Sequence, residues 1–145
     1  MKIAIGSDHA GYYMKEHLKK FLKDSGYEVD DCGTFSTASV DYPDYAKKVC
    51  TKIQDGVVNR GILICGTGIG MSITANKFKG IRAALSLNPF MAELSRKHNN
   101  SNVLVLAGRL MGYELADATL ESWLKTEFEG GRHQKRLSKI EELEK

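Results

Sequence analysis

Long apolar runs are missing from this sequence: the longest, such as Val103 to Ala107, last five residues. A membrane-crossing helix needs roughly 18, so a membrane partner is not expected. The start, Met1-Lys2-Ile3-Ala4-Ile5-Gly6, turns polar too soon for a signal peptide. Paired cysteines are missing too. Cys32, Cys50 and Cys65 are odd in number and widely spaced, with no C-x-x-C to suggest zinc, redox exchange or a secreted disulfide framework. These absences together fit a reducing cytoplasm. Charge of one sign is also scarce, since 21 Lys and Arg stand against 18 Asp and Glu for a net +3. That mild excess suits a small anionic ligand better than a long phosphate backbone, so no nucleic-acid partner is expected. No repeat or low-complexity tract appears. The composition that is present, 42% hydrophobic and 27% charged over 145 residues, predicts one domain spanning residues 1–145. A chain of this length buries roughly two-thirds of its unfolded surface and holds a core without a disulfide or a metal.

The periodicity predicts alternating strands and helices. Ile3 to Ile5 form a short strand, and Met14, Leu18, Phe21 and Leu22 follow at helical spacing. Lys15, Lys19, Lys20 and Lys23, with Glu16 and Asp24, fall on the opposite face and read as solvated surface. Gly26 ends that helix, and Tyr27-Glu28-Val29-Asp30 alternates as an edge strand does. Ala46, Val49, Cys50 and Ile53 make a second helical stripe, in which Cys50 is a small core residue. Gly61 to Cys65, Ile81 to Leu85 and Val103 to Leu106 read as buried strands. Met91 and Leu94 lie on the helix between the last two, and two helices, around Trp123 and around Leu137, close the chain. Five strands alternating with helices predict an α/β fold, a three-layer α/β/α sandwich with a mostly parallel five-stranded sheet and a C-terminal helix. Ligands of such sheets bind at the carboxyl ends of the strands.

One such end carries Cys65-Gly66-Thr67-Gly68-Ile69-Gly70-Met71-Ser72. Glycines between a buried strand and a helix bring several backbone N–H groups to one spot, an anion cradle. Nucleotide motifs fail in detail here. A G-x-G-x-x-G frame from Gly66 meets Met71 in its sixth place, and the Gly-Lys-Ser/Thr ending of a Walker loop is absent. Read alone, the segment fits tight strand-to-helix packing and an inert thiol equally well. A thiol at a helix N-terminus is, however, favoured as its anion, which makes Cys65 the candidate base or nucleophile. The same amides suit an oxyanion developing on a substrate carbonyl.

At this loop the sequence resembles the type B ribose-5-phosphate isomerases, within the family that also holds galactose-6-phosphate and allose-6-phosphate isomerases. The resemblance extends over Gly6-Ser7-Asp8-His9-Ala10-Gly11, Ser39-Val40-Asp41-Tyr42-Pro43-Asp44, Cys65 through Lys77, His98-Asn99-Asn100-Ser101-Asn102, Gly108-Arg109, and Gly130-Gly131-Arg132-His133 with Arg136. It implies a Rossmann-like sandwich, a homodimer or dimer of dimers, and an active site completed across the subunit boundary. It also implies interconversion of ribose 5-phosphate and ribulose 5-phosphate without a metal or organic cofactor. One branch of the family lacks the cysteine and uses a glutamate at the position of Met71, so Cys65 with Met71 matches the thiolate branch.

Moving a proton between adjacent sugar carbons needs a base, an oxyanion site and a hold on the phosphate. The resemblance assigns Cys65 as that base and the amides of Gly66, Thr67, Gly68, Ile69 and Gly70 as the oxyanion site. It gives ring opening to His98, assisted by Thr67, and substrate hydrogen bonds to Asn99 and Asp8. Arg109, Arg132 and Arg136 go to the phosphate, joined by His9 and His133, and Tyr42 lines the pocket. Plainer readings stand beside these. Met91, Leu94 and His98 fall at i, i+3, i+7, as a core histidine would; Asn99 could be a helix C-cap and Asp8 an N-cap. Arg132 and Arg136, four residues apart, could be an exposed basic helix face paired with nearby glutamates. Two other functions remain open: the same chemistry on allose 6-phosphate or galactose 6-phosphate, and a non-catalytic sugar-phosphate or nucleotide sensor using the loop only to bind.

Overall fold

In a computed structural model describing residues 1–144, side chains alternate across a five-stranded sheet with period two. Strand β1 (Lys2–Ser7) sends Ile3 and Ile5 to one face and Ala4 to the other. Strand β3 (Arg60–Cys65) divides Ile62 and Ile64 from Leu63 and Cys65, and β5 (Val103–Ala107) divides Leu104 and Leu106 from Val103 and Val105. The first face is covered by helices α1 (Tyr12–Asp24), α4 (Pro89–Asn99) and α5 (Tyr113–Lys125), through Leu18, Ala92, Leu120 and Trp123 among others. The second is covered by α2 (Tyr42–Gln54) and α3 (Ile69–Ala75), through Val49, Cys50, Met71 and Ala75. Strands β2 (Glu28–Asp31) and β4 (Ala83–Leu85) complete the sheet, and α6 (Arg132–Glu142) closes the chain.

The order is β2-β1-β3-β5-β4, with every neighbouring pair parallel. The predicted α/β sandwich is therefore present, and its sheet is wholly parallel. From β1 the chain steps outward to β2, then returns past β1 to place β3 on the other side. Topology thus reverses between β1 and β3, where the connections leave in opposite directions and open a crevice at the strands' carboxyl ends. Asp8 follows β1 and Gly66 follows β3 at this point.

Four local expectations are corrected. Ile81 and Arg82 precede β4 rather than belonging to it: the Asn102 side chain accepts from the Arg82 amide at 2.8 Å, and Asn76 accepts from Ala83, also at 2.8 Å. The Arg82 and Ala83 amides thus go to side chains, although the Arg82 carbonyl still accepts from the Asn102 and Val103 amides, while Ile81 plugs the core on the α2/α3 side. Met91 and His98 are both about two-fifths exposed, so the stripe they share is not a core stripe. The C-cap of α4 is Asn100, in the left-handed region at φ 45°, rather than Asn99. Lys15, expected on the solvated face of α1, is fully buried. Its ammonium donates to both Asp31 oxygens, at 2.9 and 2.7 Å, and lies near the rings of Tyr12 and Phe35.

Burial works against the Asp31 carboxylate. Donation from Lys15, the Gly33 amide and Lys19 outweighs it and holds the acid below its usual range. A carboxylate depressed in the folded state contributes stability above its unfolded pKa, and the contribution is lost as pH falls through the lower folded value. Asp31→Asn leaves the buried Lys15 charge with only the Glu16 carboxylate at 3.8 Å to balance it, and urea unfolding should show a loss of about 3 kcal/mol. Lys15→Met in the same chain should recover most of it; an Asp31→Asn variant as stable as the parent would rule out a structural role for the pair.

Candidate active site

The carboxyl edge of the sheet is built by close approach. Gly68 has φ +79°, and a Cβ there would lie 2.5 Å from Leu85 Cδ1, so only glycine lets the loop turn this tightly against β5 and β4. At Gly70 a Cβ would fall 2.5 Å from the ring of Tyr42, which stands at the start of α2 and rests on the loop. Over Gly66 lies the Arg109 side chain, with Nη1 3.3 Å from the same hypothetical position, and the Arg109 amide donates to the Gly66 carbonyl at 3.0 Å. Tyr42, the loop and Arg109 thus converge although they are widely separated in the chain.

Cys65 ends β3 directly before this loop. The residue is 5% exposed and joins the α2/α3-side cluster that also holds the fully buried Met71. Helix α3 runs only seven residues, so individual loop amides rather than a long macrodipole set the local field. Thr67 Oγ1 accepts from the Ile69 amide at 3.2 Å. Among the described residues, the amides of Gly66, Thr67, Gly68 and Gly70 have no protein acceptor. Backbone donors left over in this way are available to solvent or to a ligand. The other two cysteines lie apart from the loop: burial pushes the Cys50 thiol up to about 12 and raises Cys32 as well.

Across the crevice, Asp8 Oδ1 accepts from the amides of Ala10 and Gly11, at 3.0 and 3.1 Å, capping a short 3-10 turn over His9–Gly11. The N-cap reading of Asp8 therefore holds for one of its oxygens. His9 Nδ1 accepts from the Val40 amide at 3.2 Å. Because a backbone N–H only donates, the ring proton of neutral His9 sits on Nε2, and the loop over residues 33–41 fixes that tautomer.

A second group of predicted residues lies elsewhere. His98 and Asn99 end α4, and Arg132, His133 and Arg136 lie on α6 with both arginines exposed. The His98 and His133 rings stack at 4.5 Å between centroids and 16° between planes, with the Glu129 carboxylate 3.9 Å from His98 Nε2 and 3.5 Å from His133 Nε2. Glu129 escaped the sequence reading: it precedes α6 in a non-helical segment, and no local motif marks it. The turn after Asn99 is clamped from below. Buried Arg96 donates to the carbonyls of Thr126 and Ser101 and to Asn100 Oδ1, and the Trp123 indole donates to Ser101 Oγ at 2.8 Å. Burial lowers the Arg96 pKa to about 10.

The two groups occupy opposite ends of the sheet. Gly61 pairs with Val103 and Cys65 with Ala107, and the carbonyl of Asn102, just past the α4 turn, accepts from the Gly61 amide at 2.9 Å. Four strand steps between Gly61 and Cys65 make about 13 Å. Among the described residues, no hydrogen bond or ion pair joins the groups. Asp8, His9, Tyr42, Cys65, the 66–70 loop and Arg109 stand at one end; His98, Asn99, Arg132, His133 and Arg136 stand at the other.

Comparison with known proteins identifies the family. The family model described as Ribose/Galactose Isomerase matches residues 3–140. The chain is 48% identical over 143 residues to ribose-5-phosphate isomerase B of Escherichia coli K12, covering 99% of this chain and 96% of that one. Among solved structures it is similar to ribose-5-phosphate isomerase B of Clostridium thermocellum, with a TM-score of 0.98, 53% identity and 99% and 97% of the two chains covered. The Thermotoga maritima ribose 5-phosphate isomerase gives a TM-score of 0.96 and 57% identity, with 97% of each chain covered. With a family model over residues 3–140 and identities of 48–57% over nearly the whole chain, the chain belongs to the ribose/galactose isomerase family and is an isomerase of the aldose–ketose type.

Proposed function

We propose that the whole chain, residues 1–145, acts as one sugar-phosphate isomerase domain that interconverts D-ribose 5-phosphate and D-ribulose 5-phosphate through an enediolate. The observation that carries this reading is the Cys65 loop, a cysteine ending β3 directly before a loop in which four peptide N–H groups have no protein acceptor, at the sheet's topological switch. In the open-chain aldose, the Cys65 thiolate removes the C2 proton and the electron pair moves into the C1 carbonyl. The loop amides of Gly66, Thr67, Gly68 and Gly70 hold the resulting oxyanion, the Ile69 amide being already engaged by Thr67 Oγ1. The thiol, which can exchange its proton with solvent while the enediolate lasts, then delivers a proton to C1 as the hydroxyl proton passes from O2 to O1, so that atoms balance and no oxidant is consumed.

The sugar must first be opened. His98, assisted by Thr67, moves protons between the ring oxygen and the anomeric hydroxyl, a task suited to imidazole near neutrality. Asp8 and Asn99 orient hydroxyls and Tyr42 walls the pocket. Arg109, Arg132 and Arg136 hold the phosphate with His133, and His9 contributes the neutral donor its tautomer supplies.

The placement of the two groups at opposite ends of β3, whose Gly61-to-Cys65 stretch alone spans about 13 Å, gives this mechanism a structural requirement. His98 of one chain acts on sugar held by Cys65 of another, so the working form is a homodimer, alone or paired into a dimer of dimers, with composite sites. Exposed Ile69 and Ile73 beside the loop and exposed Phe90 on α4 are apolar surface of the kind such contact covers. The enzyme works in the cytoplasm.

Complementation tests this arrangement directly. Cys65→Ala and His98→Asn should each lower turnover by about a thousandfold, whereas co-refolding equal amounts should restore roughly a quarter of wild-type activity, one intact site in half of the dimers. Restoration to no more than the level of either variant would place both residues in the same subunit's site or remove one of them from the chemistry.

Arg136→Ala should raise KM by at least about tenfold, the share of a charge-assisted phosphate contact, with kcat changed less. An unchanged KM would take Arg136 off the phosphate. In heavy water, an isomerase forms ribulose 5-phosphate and exchanges hydrogen at the reacting carbons; unchanged ribose 5-phosphate would favour a sensor, and faster turnover of allose 6-phosphate or galactose 6-phosphate would move the substrate to a hexose.

A further inference from the structure

We propose that His98, Glu129 and His133 form a binding site for a divalent transition metal, and that an ion such as Zn²⁺ held there stops turnover by occupying His98. The inhibitory half rests on the ring-opening role given to His98 above; the binding half does not.

Geometry supports the site. One donor atom from each residue lies within 4.8 Å of the other two, and both Nε2 atoms face the same Glu129 oxygen. A tetrahedral ion with bonds of about 2.0–2.1 Å needs its donors roughly 3.4 Å apart. Closing the remaining gap falls to the mobile members, because the His133 side chain is only 10% exposed while His98 and Glu129 are 41% and 52% exposed. Their backbones are already tied together: the Glu129 amide donates to the Lys97 carbonyl at 3.2 Å, and the His133 amide donates to Gly130 at 3.1 Å. Little backbone ordering is left for the ion to impose.

The donor set selects the metal. Two imidazoles and one carboxylate suit Zn²⁺, Co²⁺, Ni²⁺ or Cu²⁺, whereas Mg²⁺ and Ca²⁺ want oxygen. Exposed Arg132 and Arg136 lie on the same helix as His133 and repel any cation, and Lys97 is paired with Glu93 instead. An ion must therefore gain from the imidazole bonds, which Mg²⁺ does not. With three protein ligands the fourth position stays open to water, and a bound ion takes the Nε2 lone pair that proton transfer requires.

The test uses the full-length enzyme and Zn²⁺ alone, competed against a chromophoric indicator, with Co²⁺ absorption as a report on tetrahedral nitrogen and oxygen ligation. One Zn²⁺ should bind per chain. Glu129→Gln and His133→Asn should each weaken binding by at least about tenfold, while Cys65→Ser binds as the parent does. Absence of binding below millimolar Zn²⁺, or loss of binding in Cys65→Ser, overturns the site, the latter by moving the ion to the thiol. In turnover assays Zn²⁺ should inhibit the parent reversibly, a chelator should restore the rate, and Glu129→Gln should need about ten times more Zn²⁺ for the same inhibition. Tight binding at these residues with unaltered turnover would leave the site standing and remove His98 from ring opening.

Discussion

A parallel sheet sends every strand's carboxyl end to one edge and every amino end to the other, and this direction rule governs the chemistry available to the chain. Residues placed after β1 and β3 meet in the crevice between them. Residues placed at the end of a returning helix, as His98 and Asn99 are on α4, arrive at the opposite edge. The intervening length of β3, about 13 Å from Gly61 to Cys65, is set by backbone hydrogen bonding and is not closed by side-chain rotation. Any reaction that needs Cys65 and His98 together must draw them from different copies, so under the proposed mechanism catalysis and assembly are a single property.

Each end is stiffened by different means. At the carboxyl edge the loop has almost no side chains of its own; its glycines let Leu85, Tyr42 and Arg109 close over bare backbone. That leaves peptide donors available at the cost of backbone freedom, which the packing of β3 against β5 offsets. At the amino edge the rigidity comes from a polar network, with Arg96, Trp123, Ser95 and Ser101 fastening the α4 turn through donors and acceptors that are nearly all buried. Breaking one member strands its neighbours, so the residues beneath His98 and Asn99 serve that end as the glycines serve the other. Between them, the Lys15–Asp31 pair anchors the strand that leads into the loop supporting His9.

Much of the architecture was legible from periodicity alone, since the strands are short, buried and bounded by glycine or polar turns. What failed did so for identifiable reasons. A lysine on a helix reads as surface whenever its counter-ion lies on another element, and Asp31 is 16 residues from Lys15 in the chain. Ile81 reads as strand because it is apolar, yet its amide donates back to the Phe78 carbonyl in a turn, and the Arg82 amide goes to the Asn102 side chain. Glu129 carried no motif; its proximity to two histidines arises only when α6 folds back against α4.

The sequence by itself determined the layering, the glycine turn after Cys65 and the identity of the residues with chemical capacity, because apolar period, turn chemistry and side-chain type are local properties. Tertiary structure alone decided which of those residues share a place. Spatial company depends on strand direction and crossover, and these put Arg109 over Gly66, the Val40 amide on His9 and Glu129 between two imidazoles, while sending His98 to the far edge of the sheet from the thiol it is proposed to serve.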